Sequence, residues 1–219
     1  MLNFLPTLPQ LITYGIILLT CFPVHEFAHA WVANYFGDTT PRANGRLTLN
    51  PLAHLDPIGS LLMIVAGFGW AKPVPINPYV LQKRSRAATM LVSLAGPMSN
   101  LLMAIVASAF FRLGLVSYNT RGYIAGGILP NLSLFLWIFV FVNLWLMLFN
   151  LIPISPLDGE KVLDYFLPSS GSRVLETIRP YGPMILMVII FVLPLVGINV
   201  IGAVIDPVFN FLAKLLIGA

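Results

Sequence analysis

Four apolar stretches, each long enough to cross a bilayer, constrain this chain more than any other feature. A membrane-spanning helix needs about 20 predominantly apolar residues. The first stretch runs from about Leu8 to Phe36, the second from Ala87 to Phe111, the third from Leu132 to Leu157 and the fourth from about Tyr181 to Ile205. Charge is correspondingly scarce. Lys and Arg number 12 and Asp and Glu 8, which makes 9% of the chain, where a soluble domain carries roughly 25%. Such a chain cannot clothe itself in polar groups, so an ordinary soluble fold is excluded. Disorder is excluded as well, because it needs low hydrophobicity and high charge, and mean hydropathy here is +0.89. The N-terminus lacks the basic start and small-residue cleavage site of a signal peptide. A single cysteine, Cys21, allows no internal disulfide. The net charge of +4 is too small and scattered to argue for nucleic acid.

Two apolar segments fall short of a span. Residues 59–70 are brief and glycine-rich, and the prolines of Lys72-Pro73-Val74-Pro75-Ile76-Asn77-Pro78 forbid a helix interior after them. Non-helical backbone at membrane depth is tolerated only against protein or a water-filled cavity. Residues 59–78 therefore read as a re-entrant extended hairpin flanking a cavity. The tail Val208 to Ile217 carries Lys214 and reads as an interfacial helix. The expected fold class is an all-α polytopic membrane protein with about four transmembrane helices, of which three form the core. No repeat, low-complexity tract or appended soluble domain is visible, so residues 1–219 read as one domain. Its core is about 8–165, with the last span and interfacial helix at about 181–217. Nine of the twelve basic residues fall between spans one and two (Arg42 to Arg86) or between spans three and four (Lys161 to Arg179). Basic loops stay cytoplasmic, which places both termini outside.

Ionisable residues inside membrane spans are functional candidates by default. The first span holds three together, His25-Glu26-Phe27-Ala28-His29. The i, i+4 spacing puts both imidazoles on one helix face, near enough to share a metal ion. Glu26 lies about 100° round the helix, able to reach a metal-bound water without ligating the metal. A catalytic zinc takes three protein ligands and leaves a fourth position to water. The third ligand is open among Asp158, His54, Asp56 and Cys21. Asp158 ends the third span on the same side as His29, so the two can meet. Cys21 shares the histidine face, but Pro23 intervenes. His54 and Asp56 sit in a loop, where turn-capping is the ordinary role.

These residues resemble the site-2 protease family of intramembrane zinc metalloproteases, in its minimal form without PDZ or CBS domains. The resemblance rests on His25-Glu26-x-x-His29, on Gly96-Pro97-Met98-Ser99-Asn100 in the second span, and on the run Asn150-Leu151-Ile152-Pro153-Ile154-Ser155-Pro156-Leu157-Asp158-Gly159. It rests also on Gly45-Arg46-Leu47-Thr48-Leu49-Asn50-Pro51 followed by the glycine-rich stretch. It covers about residues 20–165.

The resemblance implies one Zn2+ per chain held by His25, His29 and Asp158, with Glu26 as general base and acid and Asn150 supporting the substrate carbonyl. The hairpin would hold the substrate, with Gly67, Gly69 and Trp70 as its turn and contact region. Asn100 is a further substrate-binding candidate, or an interhelical bridge. The implied activity is hydrolysis of peptide bonds in or near transmembrane segments of single-span proteins at the cell membrane, from a site toward the cytoplasm. The rival readings are a metal transporter or sensor, which usually shows inverted repeats, and an inactive relative that binds partner helices.

Overall fold

A computed structural model describes residues 8–66, 69–117 and 131–218. The chain is predominantly helical in the described residues. Its helices are α1 (Leu8–Tyr35), α2 (Thr40–Ala43), α3 (Pro57–Ala66), α4 (Pro78–Arg84), α5 (Ala88–Arg112), α6 (Leu132–Asn150), α7 (Asp158–Phe166), α8 (Ser169–Ile178), α9 (Gly182–Met187) and α10 (Val200–Ile217). No strand occurs among those residues, only an isolated antiparallel bridge between Leu55 and Ala71. The all-α polytopic class read from the sequence is the class observed.

α5 is the centre of the bundle, flanked by α1 on one side and α6 on the other, with α7 against it. The sequence explains why. Ala88, Val92, Gly96, Asn100, Ala104 and Ser108 recur every fourth residue and are all buried. Lipid supplies no hydrophobic drive between helices, so small residues in register are what lets backbones approach. Larger apolar side chains of α6 fill the other side of the interface. Leu136, Val140, Leu144 and Met147 pack against Ala104, Ala107 and Phe111.

Among the described residues five helical runs, not four, are long and apolar enough to cross a membrane: Gly15–Tyr35, Ala88–Arg112, Leu132–Asn150, Ser169–Val196 and Val200–Ile217. The difference lies at the C-terminal end. By sequence the fourth span ends at about Ile205, which leaves the tail from Val208 as an interfacial helix. In the structure Pro207 lies inside α10, and the break falls earlier, at residues 197–199. Gly197 adopts φ +81°, a left-handed conformation that ends the preceding run, and Asn199 caps α10 by accepting from Gly202 N at 2.9 Å. Half of the window in the first run is buried inside the protein, against 6% in Ser169–Val196 and 11% in Val200–Ile217. Those last two runs are thus the lipid-facing periphery, and the first three make the core.

The expected hairpin over 59–78 is replaced by a helix and an extended arm. Asp56 starts α3, its Oδ1 accepting from Ile58 N and Gly59 N, and Pro57 takes the first helical position. Gly59 sits in that first turn, where the low helix propensity of glycine costs little, and Leu61 and Leu62 point outward. Residues 69–77 are then extended, tied back by the Leu55–Ala71 bridge and by Lys72 N donating to His54 O at 2.8 Å. Two buried charges hold the arm. Arg46 donates to the carbonyls of Ala53, Lys72 and Pro73 at 2.6, 3.2 and 3.3 Å. Asp38 accepts from Asn77 N at 2.6 Å at the arm's far end.

The third span ends as a helix at Asn150, and turns carry the chain to Asp158. Pro153 and Pro156 make continuation of the helix impossible. α7 then opens with Asp158 and Glu160 in its first turn, where negative charge suits the helix N-terminus. Glu160 is buried and paired with Arg179, whose Nε and Nη2 donate to Oε1 at 2.9 and 2.6 Å. This pair ties the helix that begins with Asp158 to the fourth run.

Candidate metal centre

One turn of α1 separates His25 from His29, so both rings leave the same face and meet α5. Their centroids are 4.7 Å apart and nearly perpendicular. His25 Nε2 and His29 Nε2 approach to 3.0 Å. The Oδ2 of Asp158, delivered by the first residue of α7, lies 3.3 Å from the former and 3.2 Å from the latter. Three donor atoms from two helices thus form a near-equilateral triangle.

The far nitrogen of each ring decides what faces that triangle. His25 Nδ1 lies 2.6 Å from Asn100 Oδ1, and His29 Nδ1 lies 2.7 Å from the carbonyl oxygen of Val92. Both partners are acceptors, so both Nδ1 atoms carry the proton and donate. Neutral rings protonated there present bare lone pairs at Nε2. Two lone pairs and a carboxylate oxygen converging at 3.0–3.3 Å repel one another unless a cation lies between them. Zinc with bonds of about 2.1 Å and tetrahedral angles would set its ligand atoms about 3.4 Å apart. The triangle needs only slight widening to meet that, so the residues present fit the metal. His25, His29 and Asp158 form the metal-capable cluster among the described residues.

Gly96 explains how close α5 can come. A Cβ built there would meet His25 Nε2 at 2.5 Å and would collide with His29 Nε2. The missing side chain is what leaves room beside the two ligand atoms. Gly96→Ala should therefore lower zinc content by about tenfold or more while the protein still folds, since the added methyl displaces the imidazoles that set metal geometry. Zinc per chain by elemental analysis, read beside the thermal transition in detergent, checks this.

The triangle opens into a cavity of about 400 Å³. Glu26 and Asn150 line it beside the three cluster residues, and the arm from Gly69 to Ile76 forms its opposite wall. Glu26 offers a carboxylate outside the triangle. Asn150 spends one N–H on Leu146 O at 2.9 Å and retains a second donor. Leu186 of α9 reaches the cavity too, from a region where the sequence carries no signature.

The other sequence candidates divide clearly. Gly69 and Trp70 line the cavity, and Gly67 lies outside the described residues. Asn100 is fully buried behind His25 and is no part of the cavity lining, so its place is bridging and not substrate contact. Cys21 is buried, with Sγ accepting from Asn143 Nδ2 at 3.2 Å. His54 is buried and donates from Nε2 to Thr48 O at 2.7 Å, and Asp56 caps α3. None of these three joins the triangle. Sequence reasoning missed the Val92 carbonyl, since any backbone oxygen looks alike in a sequence. It also missed Asn143, whose only signal is an amide in an otherwise apolar span.

Comparison with known proteins bears directly on this geometry. The model of peptidase family M50 matches residues 114–193, a stretch that contains Asn150 and Asp158. A Bacillus subtilis (strain 168) protein named "Putative zinc metalloprotease YwhC" is 43% identical over 180 residues, covering 82% of this chain and 80% of the relative. The chain belongs to peptidase family M50. A Mycolicibacterium smegmatis Rip2 protein bearing the same zinc metalloprotease description is 32% identical over 82% of this chain and 66% of its own length. A Methanocaldococcus jannaschii protein so described, MJ0611, is 40% identical over 147 residues, 66% of this chain and 65% of its own. This chain thus spans about two-thirds of the length of the latter two. No solved structure matches it. This M50 chain is a multi-pass membrane zinc metalloprotease, and its His-His-Asp triangle is a place where Zn2+ fits.

Proposed function

We propose that this M50 protein is an intramembrane peptidase of the site-2 type, hydrolysing peptide bonds in or near the transmembrane segments of single-span proteins. The observation that carries the reading is the ligand triangle opening, inside a helical bundle, onto a cavity walled by an extended arm. His25, His29 and Asp158 would hold the metal. A zinc ion bound there would supply a water of lowered pKa and a Lewis acid for the scissile carbonyl. Glu26 takes a proton from the attacking water and passes it to the leaving amine. The second N–H of Asn150 supports the carbonyl oxygen as charge develops on it.

A transmembrane substrate hides its peptide bonds in helical hydrogen bonds and must unwind before attack, and bare backbone groups in lipid cost several kcal/mol each. An extended partner strand can take up those groups. The arm is suited to this. Pro73, Pro75 and Pro78 have no N–H to give, and Asn77 spends its own on Asp38. This leaves Val74 and Ile76 as the backbone donors of this stretch, and both residues line the cavity. Gly69 and Trp70 begin the contact region. The basic loops mark the cytoplasmic side of the cell membrane, toward which the site lies, and both termini lie outside. Arg112 at the outer end of α5 donates to the Leu215 carbonyl near the end of α10, which supports that side for the C-terminus.

Reconstitution tests the reading. In liposomes carrying a tagged single-span substrate, the zinc-loaded protein cleaves, a chelator stops cleavage, and added zinc restores it. Cleavage at the same rate in chelator would contradict the proposal.

A further inference from the structure

Two amides stand behind His25, and only one of them touches it. Asn100 on α5 and Asn143 on α6 are both fully buried among apolar and small residues. The end of a buried amide that faces a given neighbour is set by the bonds made at its other end. Here the bonds run in one direction. The carbonyl oxygen of Phe139 can only accept, and it lies 2.9 Å from Asn143 Nδ2. Cys21 Sγ takes a second bond from the same nitrogen. Asn143 Oδ1 is thereby turned toward Asn100, whose Nδ2 donates to it at 2.8 Å. That leaves Asn100 Oδ1 for His25, and it is this acceptor that holds the proton on Nδ1 and the lone pair on Nε2.

His29 needs no such chain, because its Nδ1 meets a backbone oxygen directly. A backbone carbonyl cannot turn over, but a side-chain amide can. Without the Asn143 acceptor, Asn100 is free to rotate its NH2 toward His25 Nδ1. The ring then carries its proton on Nε2, where it blocks metal binding. We infer that Asn143 is a positioning residue for the metal centre, selecting the ligating tautomer of His25 through Asn100 from a helix that supplies no metal ligand. This rests on the reading that His25 binds zinc.

A double-mutant cycle on the purified full chain tests it, read as the zinc dissociation constant by competition with a chromophoric chelator. Asn143→Leu should weaken zinc by about 10–100-fold, the usual effect of losing an outer partner of a histidine ligand. In an Asn100→Asp background either carboxylate oxygen can accept from His25, so Asn143→Leu should change affinity there by no more than about threefold. Nitrogen-15 spectra of the metal-free protein should show His25 moving from the Nδ1-protonated form toward the other tautomer in Asn143→Leu alone. Asn143→Val carries the same expectations if leucine prevents folding. An equal loss in both backgrounds would mean packing and overturn the inference, as would unchanged affinity and tautomer. His29→Ala separates this from the underlying reading: wild-type zinc affinity in that variant overturns the metal centre itself, and the relay with it.

Discussion

Glu26→Gln should leave zinc bound and remove cleavage. The side chain faces the cavity beside the cluster and is only 9% exposed, yet it supplies none of the triangle's three atoms. Glutamine keeps the shape and the hydrogen-bonding reach of glutamate but cannot take a proton from water. Loss of a positioned general base typically costs 10²- to 10⁴-fold in rate. The expected result is therefore a fall in kcat on a membrane-embedded substrate of about 10²- to 10⁴-fold, with zinc content unchanged. Full activity in the variant would remove Glu26 from the mechanism. Loss of zinc together with activity would place it in the metal shell instead.

Asp158→Ala acts on the other half of the site. It removes one corner of the triangle and leaves two imidazoles from a single helix. Two histidines are a poor zinc site, since three protein ligands are the rule for catalytic zinc. The affinity loss should exceed the roughly 10–100-fold cost of losing an outer partner. Folding should survive, because the carboxylate's contribution to the first turn of α7 is about 0.3–1 kcal/mol. Zinc per chain after dialysis against a weak chelator reads the result directly. Stoichiometry near one in the variant would point to another third ligand, although Cys21 and His54 are engaged elsewhere in the fold.

These two residues show how the site could be read from sequence. Glu26 was legible from local spacing alone, because positions 25, 26 and 29 lie on one helical turn and their relation is fixed by 3.6 residues per turn. Asp158 lies far along the chain, and residue chemistry left it as one of four alternatives. Only span order, through the shared side of two helices, and the family resemblance favoured it. The long apolar runs of the first three spans were legible for the simple reason that bilayer thickness demands their length.

The misses have physical causes too. The helix at 57–66 was hidden by Gly59 and the prolines downstream, and it forms because Asp56 and Pro57 start it. The break at 197–199 was hidden because Asp206-Pro207 looks like the stronger stop. Local backbone adjustment accommodates a proline inside a transmembrane helix, and Pro207 does not end α10. The orientation of Asn100 was illegible because an amide's direction depends on bonds made by Asn143 and Phe139 in the neighbouring helix.

Mass-spectrometric mapping of the bond cut in a single-span substrate, reconstituted with the zinc-loaded protein, reaches the centre of the proposal. The expected cut lies within the substrate's transmembrane segment or at its cytoplasmic edge, and disappears with Glu26→Gln. Cuts confined to the substrate's soluble regions, or cuts within the span that persist in Glu26→Gln, would contradict it.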